Sequence, residues 1–298
     1  MASKTFVNTE EFKVKPGKRI SLKNFKTIIK NKKFDKKIGQ EILQKGVAEM
    51  SVMQDKLYAE GKHSVLIVLQ AMDAAGKDGT VNHLMTGLNP SGVKVHSFKS
   101  PSSVELTHDY FWRHYVALPA RGDIGIFNRS HYENVLITKV HPEFILNEKL
   151  PEIKTVKDIN KNFWEERYNQ IKHFEKNIAE NGTLILKFFL HISKDEQKRR
   201  FIERIDNPKK NWKFSIADLK ERAFWDDYQN AYSDALSNTS THFAPWFVIP
   251  ADDKLLARII ICSIIDKEFE KLKLDYPKVS SATKDALLKA KETLMKEK

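Results

Sequence analysis

The chain has 298 residues and a net charge of +12, with 51 Lys and Arg against 39 Asp and Glu, 41% hydrophobic and 30% charged residues. With only 11 Gly and 10 Pro it is neither collagen-like nor low in complexity, and its apolar content suffices for one α/β domain with insertions or about two domains. No apolar run approaches the ~20 residues of a membrane-spanning helix, the single Cys262 excludes an internal disulfide, and no apolar secretory signal opens the chain, so a cytoplasmic protein is expected.

In chain order, residues 1–40 form a basic arm with 12 Lys and Arg against Glu10, Glu11 and Asp35. A solvated, solubilising arm is expected there. Residues 39–61 place Ile42, Leu43, Val47, Met50, Met53 and Leu57 at helical spacing. A short β-branched and Leu run at 64–69 predicts a buried strand. Then follow a helix at 77–88, a strand at 93–98, an aromatic helix at 103–116 and a strand at 124–127. Residues 156–180 predict a long amphipathic helix, with Phe163, Trp164, Tyr168, Ile171 and Phe174 on one side. The remainder reads as strand 183–190, helices 194–205 and 215–236, strand 246–249, helix 253–272 and a charged helix 280–298 outside the core. Short apolar strands alternating with helices indicate α/β architecture with a parallel sheet covered on both faces.

The strand at 64–69 runs into Gln70-Ala71-Met72-Asp73-Ala74-Ala75-Gly76-Lys77-Asp78-Gly79-Thr80 and then a helix. That is phosphate-loop spacing in its required context: backbone amides and a lysine meet phosphate oxygens at a helix N-terminus. Ala71 stands where the pattern has its first Gly, and Asp78 where it has a metal-binding hydroxyl. Asp78 or Thr80 could take over metal binding, and Asp73 reads as a magnesium ligand, direct or through water.

After strand 124–127 comes Asn128-Arg129-Ser130-His131-Tyr132-Glu133. Nucleotide kinases place an acid-Arg-Ser triplet here; with Asn128 the base is gone, which favours an acceptor that is already ionised, a phosphate. Asp123 and Glu133 flank the triplet and are either metal ligands or ordinary loop charges. His131 and His141 lack partners at metal-ligand spacing, which argues against zinc. Arg113 in the aromatic helix is a candidate phosphate ligand. Residues 194–222 carry 10 basic against 6 acidic residues, with Arg200 and Arg204 on one helical face, a Pro208 loop, Lys213, Arg222, and Ser215 and Asp218 as an N-cap pair. A closing lid at about 200–228 is expected, its arginines neutralising the transferring phosphoryl. No zinc-finger spacing and no RNA-binding strand signature occurs, so the basic surface by itself indicates a polyanion, not DNA.

The runs 71–80 and 125–134, together with Trp212-Lys213-Phe214-Ser215, Trp225, Tyr228, Ala244-Pro245-Trp246 and Asp252-Asp253-Lys254, resemble the polyphosphate kinase 2 family over residues 10–275. The Asn-Arg-Ser-His-Tyr-Glu form resembles its class III, the polyphosphate:AMP/ADP phosphotransferases. The resemblance implies a thymidylate-kinase-like P-loop kinase fold in three layers, with a parallel central sheet and a helical lid. It implies a kinase domain at 41–275 between the arm and a C-terminal helix at 276–298. It further implies Mg²⁺-dependent transfer from inorganic polyphosphate to adenine nucleotides, with guanine nucleotides as a second option, a basic channel for the chain, and a homo-oligomer. By that match Asp73, Lys77, Asp78, Arg129 and Glu133 fall on active-site motifs, Ala74, Ala75, Gly76, Gly79 and Thr80 on the phosphate loop, and Arg200, Arg204 and Arg222 on the lid. An ATP-dependent nucleoside monophosphate kinase would share every phosphate-binding residue, and a non-enzymatic polyanion binder would rest on the arm.

Overall fold

The computed structural model describes residues 7–29 and 36–297. Five strands, β1 (Ser64–Ala71), β2 (Val93–Ser97), β3 (Ile124–Asn128), β4 (Thr183–His191) and β5 (Trp246–Pro250), form one wholly parallel sheet in the order β2-β3-β1-β4-β5. The central β1 is buried along all eight residues, which is why its sequence is a continuous apolar run rather than an alternating one. Ten helices accompany the strands among the described residues: α1 (Lys36–Glu60), α2 (Lys77–Met85), α3 (Trp112–Tyr115), α4 (Ile137–Val140), α5 (Lys161–Glu180), α6 (Lys194–Asp206), α7 (Ile216–Ala223), α8 (Trp225–Thr239), α9 (Lys254–Glu270) and α10 (Ser281–Leu294). Helices α1, α2 and α9 pack together as one layer, and α4, α5 and α8 as the other. The three-layer expectation therefore holds. The chain leaves β1 towards β2 on one side and β3 towards β4 on the other, so the carboxyl ends of β1 and β3 border the crevice where α/β sheets hold ligands.

Three expected elements differ. The aromatic stretch 103–116 is not one helix: the Asp109 carboxylate accepts the Phe111 amide (2.9 Å) and only Trp112–Tyr115 is α-helical. A side chain that competes for backbone donors breaks a helix at its start. The stretch 215–236 is two helices that meet at Phe224, and α7 opens with the expected Ser215/Asp218 capping box. The expected helix at 156–180 begins only at Lys161, where Asn160 caps the Phe163 amide.

The arm is not solvated along its length. Lys4, Lys30, Lys32 and Lys33 lie outside the described residues, but between the other lysines Phe12, Val14 and Leu22 are buried. The Val14 amide donates to the Trp246 carbonyl (2.8 Å), and Ser237, Ser233 and Ser240 of the region around α8 bind the backbone of Ile20, Leu22 and Val14. Phe12, Val14 and Leu22 dock the segment while Lys15, Lys18, Arg19, Lys23 and Lys26 are exposed. Helix α10 buries no residue, as its charged sequence suggests.

Candidate active site

β1 ends at Ala71, still paired with Leu190, so no glycine is needed there. The turn that follows holds Ala74 at φ +61° and Gly76 at φ +107°, and Gly76 opens α2. Ala74 is the unusual one, because a left-handed Ala costs on the order of 1 kcal/mol. That cost is offset from behind by α6. The Arg200 guanidinium, 4% exposed, donates to the carbonyls of Ala74 (3.0 Å), Ala75 (2.8 Å), Ala251 (2.7 Å) and Asp252 (3.0 Å), and its Nε to Glu196 (2.7 Å). Arg200 therefore has no donor left for a transferring phosphoryl. It braces the loop and is not a lid arginine.

Lys77 lies over the loop and donates to the Ala71 carbonyl (2.7 Å). Burial pushes its ammonium down, while the Asp73 carboxylate works the other way. Arg129, at φ +63° just past β3, donates its amide to the Leu69 carbonyl and sets its guanidinium 3.6 Å from Asp73. Burial raises the Glu133 carboxyl against the opposing fields of Arg129 and Lys77. Asp73, Lys77, Asp78, Arg129 and Glu133 thus gather at one place.

The rest of the Asn-Arg-Ser-His-Tyr-Glu run anchors it. Ser130 accepts from Gln70 (3.1 Å), and Tyr132 donates to Glu175 (2.8 Å). Lys187 donates to Tyr132 (2.8 Å), Glu175 (2.6 Å) and the Thr239 carbonyl (2.9 Å), with His131 on the same carboxylate. These side chains are fully buried, so they fix Arg129 and Glu133 from beneath and stay out of reach of substrate.

Several expected ligands lie elsewhere or are occupied. Asp123 precedes β3 at the opposite end of the strand from Asn128, where it pairs with Lys94 (3.5 Å). The Thr80 hydroxyl is buried and donates to the Gly76 carbonyl (3.2 Å), so it is turned away from any metal. Arg113 is held by the Lys99 carbonyl (2.7 Å) and Glu105 (3.4 Å) and stacks over Phe98, although it lines the cavity. Arg222 donates to Lys194 and Gln197. Lys213 sits at the exposed tip over Trp212. Arg204 lies against Phe201 and makes no hydrogen bond or ion pair among the described residues, so of the expected lid arginines it keeps all its donors free, while Arg222 has only its Nη1 engaged.

A cavity of about 430 Å³ opens in front of the loop, walled by residues 98–113, the stretch 134–148, α7 and Tyr228 and Tyr232 of α8. That volume lies in the range of nucleotide-sized ligands. Tyr232 and Gln197 also line the site without standing in any of the motifs; the i, i+4 spacing of Tyr228 and Tyr232 is the sequence signal for the first. Among the described residues no three metal-type side chains converge. The fit to a magnesium ion nevertheless holds, because Mg²⁺ keeps several waters and takes one or two carboxylates plus substrate phosphates. Asp73 is one-third exposed, and among the described residues Asp78 accepts only from Asn128 (2.9 Å).

A family profile described as polyphosphate kinase 2 matches residues 33–277. The chain is 46% identical over 290 residues to a Rhodopseudomonas palustris protein named ADP-polyphosphate phosphotransferase, covering 97% of this chain and 99% of that one. It is 42% identical over 281 residues to the AMP/ADP-polyphosphate phosphotransferase of Meiothermus ruber, covering 94% and 99%. Its fold matches the crystal structure of polyphosphate kinase 2 from Arthrobacter aurescens with a TM-score of 0.83 at 40% identity, over 94% of this chain and 95% of that one.

Proposed function

The chain belongs to the polyphosphate kinase 2 family, and from that premise we propose that it transfers phosphoryl groups from inorganic polyphosphate to nucleoside mono- and diphosphates, AMP to ADP and ADP to ATP, reversibly. The observation that carries the acceptor class is Asn128. At the end of β3 its amide donates to Asp78 (2.9 Å), so this position offers no base to deprotonate a hydroxyl. A nucleotide phosphate needs none.

In the proposed reaction an acceptor phosphate oxygen attacks the terminal phosphorus of polyphosphate, and the bond to the shortened chain breaks with its electron pair leaving on that chain's oxygen. Lys77 and the loop amides hold the flanking phosphates. Arg129 and Arg204 neutralise the transferring group, with Arg222 on the cavity wall. Asp73 and Asp78, with Glu133 behind them, would hold Mg²⁺, which would neutralise charge on the phosphate oxygens. Adenine nucleotides are the proposed acceptors, with guanine nucleotides second. The same reading carries a homo-oligomer and a cytoplasmic location, and no role for nucleic acid; no described helix is long and apolar enough to cross a membrane.

The test is ATP formation from ADP, and separately from AMP, with polyphosphate and Mg²⁺ as the only additions. Lys77→Ala should cut the rate by roughly 10²–10³-fold, as loss of one preorganised charge does. No product with polyphosphate, alongside phosphorylation of AMP when ATP is supplied, would replace this reading by an ATP-dependent nucleoside monophosphate kinase.

A further inference from the structure

Helix α6 holds three consecutive carbonyls of the phosphate loop. Arg200 takes those of Ala74 and Ala75, and Gln197, one turn earlier on the same face, takes that of Asp73 through Nε2 (3.0 Å). In a planar peptide the amide N–H points opposite to the carbonyl. Pinning the Asp73 and Ala75 carbonyls towards α6 therefore turns the Ala74 and Gly76 amides away from it. Gln197 differs from Arg200 in what its other end does: its Oε1 accepts from Nη1 of Arg222 (2.7 Å), in the last turn of α7. Gln197 is 1% exposed, and both Gln197 and Arg222 reach the cavity wall.

We propose that Gln197 is a positioning residue that couples the lid segment to the phosphate loop, tying Arg222 on one side to the backbone of Asp73 on the other. This rests on the functional reading above. The residue type fits the task closely. One end must donate to a carbonyl while the other accepts from a guanidinium, and a primary amide does both. A glutamate would set oxygen against the Asp73 carbonyl, and a leucine would leave carbonyl and guanidinium unpaired in a buried site. Asp73 in turn stands 3.6 Å from Arg129, so a shift of its backbone moves the group beside the transferring phosphoryl. An anionic ligand in the cavity competes with Gln197 for Arg222. Ligand binding and loop geometry are thereby linked through one side chain, and the linkage is reciprocal.

The test uses the full chain, with ADP and polyphosphate as probes. Gln197→Leu breaks both contacts, and Gln197→Glu keeps the one to Arg222 while opposing the one to Asp73. Both should lower kcat about 10-fold or more with less than about a 3-fold change in KM for ADP, the scale of residues that orient active-site groups. Trypsin cleavage at Lys209, Lys210 and Lys213 reads the lid. In ligand-free protein Gln197→Leu should speed cleavage and Gln197→Glu slow it, an opposition that a merely structural role does not produce. Arg222→Met approaches the same contact from a partly exposed position, so it stays informative if a Gln197 variant folds poorly. The double variant Gln197→Leu/Arg222→Met should be no slower than the worse single. Independent, multiplying effects, or equal lid cleavage in both Gln197 variants, with ADP still bound by the wild type in calorimetry, overturn this inference alone. A wild type that binds neither ADP nor polyphosphate takes down the functional reading together with it.

Discussion

Replacing Arg200 by Met keeps the length and apolar stem of the side chain and removes every hydrogen bond of its guanidinium. Four carbonyls, of Ala74, Ala75, Ala251 and Asp252, lose their donor. Glu196 retains Arg199 at 2.6 Å, so no carboxylate is stranded. At ~1 kcal/mol for each carbonyl the loss is about 4 kcal/mol. That falls in the 3–5 kcal/mol range for breaking a buried charged network. An unfolding entropy of roughly 2 cal/mol/K per residue converts it into a fall in Tm of about 6 °C for a chain of this size. Calorimetry and steady-state kinetics on the same preparation check the two consequences together: a clear fall in Tm, and a loss of activity that follows the loosened loop. Arg200→Lys should recover little, because an ammonium cannot span the phosphate loop and the loop after β5 at once. A Tm within 2 °C of wild type combined with a loss of kcat beyond about 100-fold would refute the bracing role and return Arg200 to contact with substrate.

Asp123→Asn should leave kcat within about 2-fold, since the side chain lies at the amino end of β3; a 10-fold loss measured with ADP and polyphosphate would contradict that placement. Asn128→Asp removes the amide that donates to Asp78 and sets a second carboxylate against it at the present 2.9 Å contact, so activity with ADP and polyphosphate should fall at least ~10-fold. A rate within about 2-fold of wild type would argue against it. Asp266 of α9 has both oxygens buried without a hydrogen bond among the described residues, and burial, then Glu49 and Glu270, pushes its carboxyl up to about 7. The folded state then binds a proton that the unfolded state releases near pH 4, so this contribution to stability is full below pH 4 and is lost as the pH rises through 7. Asp266→Asn should stabilise the protein at pH 8 by roughly 2–4 kcal/mol and flatten the decline between pH 4 and 7 in denaturant titrations.

Much of the site was legible because its spacing is local. The loop from Gln70 to Thr80 needs small residues, a glycine and a lysine at fixed offsets, and a helix start needs the Ser215/Asp218 pair, so a linear reading finds both. The sequence places Arg200 on phosphate because arginine chemistry alone does not tell a phosphate oxygen from a backbone carbonyl. Which of the two it meets depends on the left-handed turn at Ala74, and no residue type announces that turn. Asp123 was avoidable. It precedes its strand, and in a parallel sheet the crevice lies at the carboxyl ends, so strand polarity excludes it. The aromatic stretch 103–116 has misleading periodicity, since Asp109 diverts the backbone, so that His108 and Tyr110 line the cavity while Phe111 and Tyr115 pack on Phe174.

The docked N-terminal segment bears on how the molecule is made. Val14, Ile20 and Leu22 bind Ser240, Ser237 and Ser233, partners that follow them in the chain by 226, 217 and 211 residues. At translation speeds of ~5–20 residues per second that gap lasts about 10–45 s. During that interval β1, β3 and β4 can pair, while Phe12, Val14 and Leu22 wait exposed on a strongly basic segment. The segment therefore finds its place only after the centre of the sheet has been made, and a late step of folding joins one stretch of the chain to another synthesised much later.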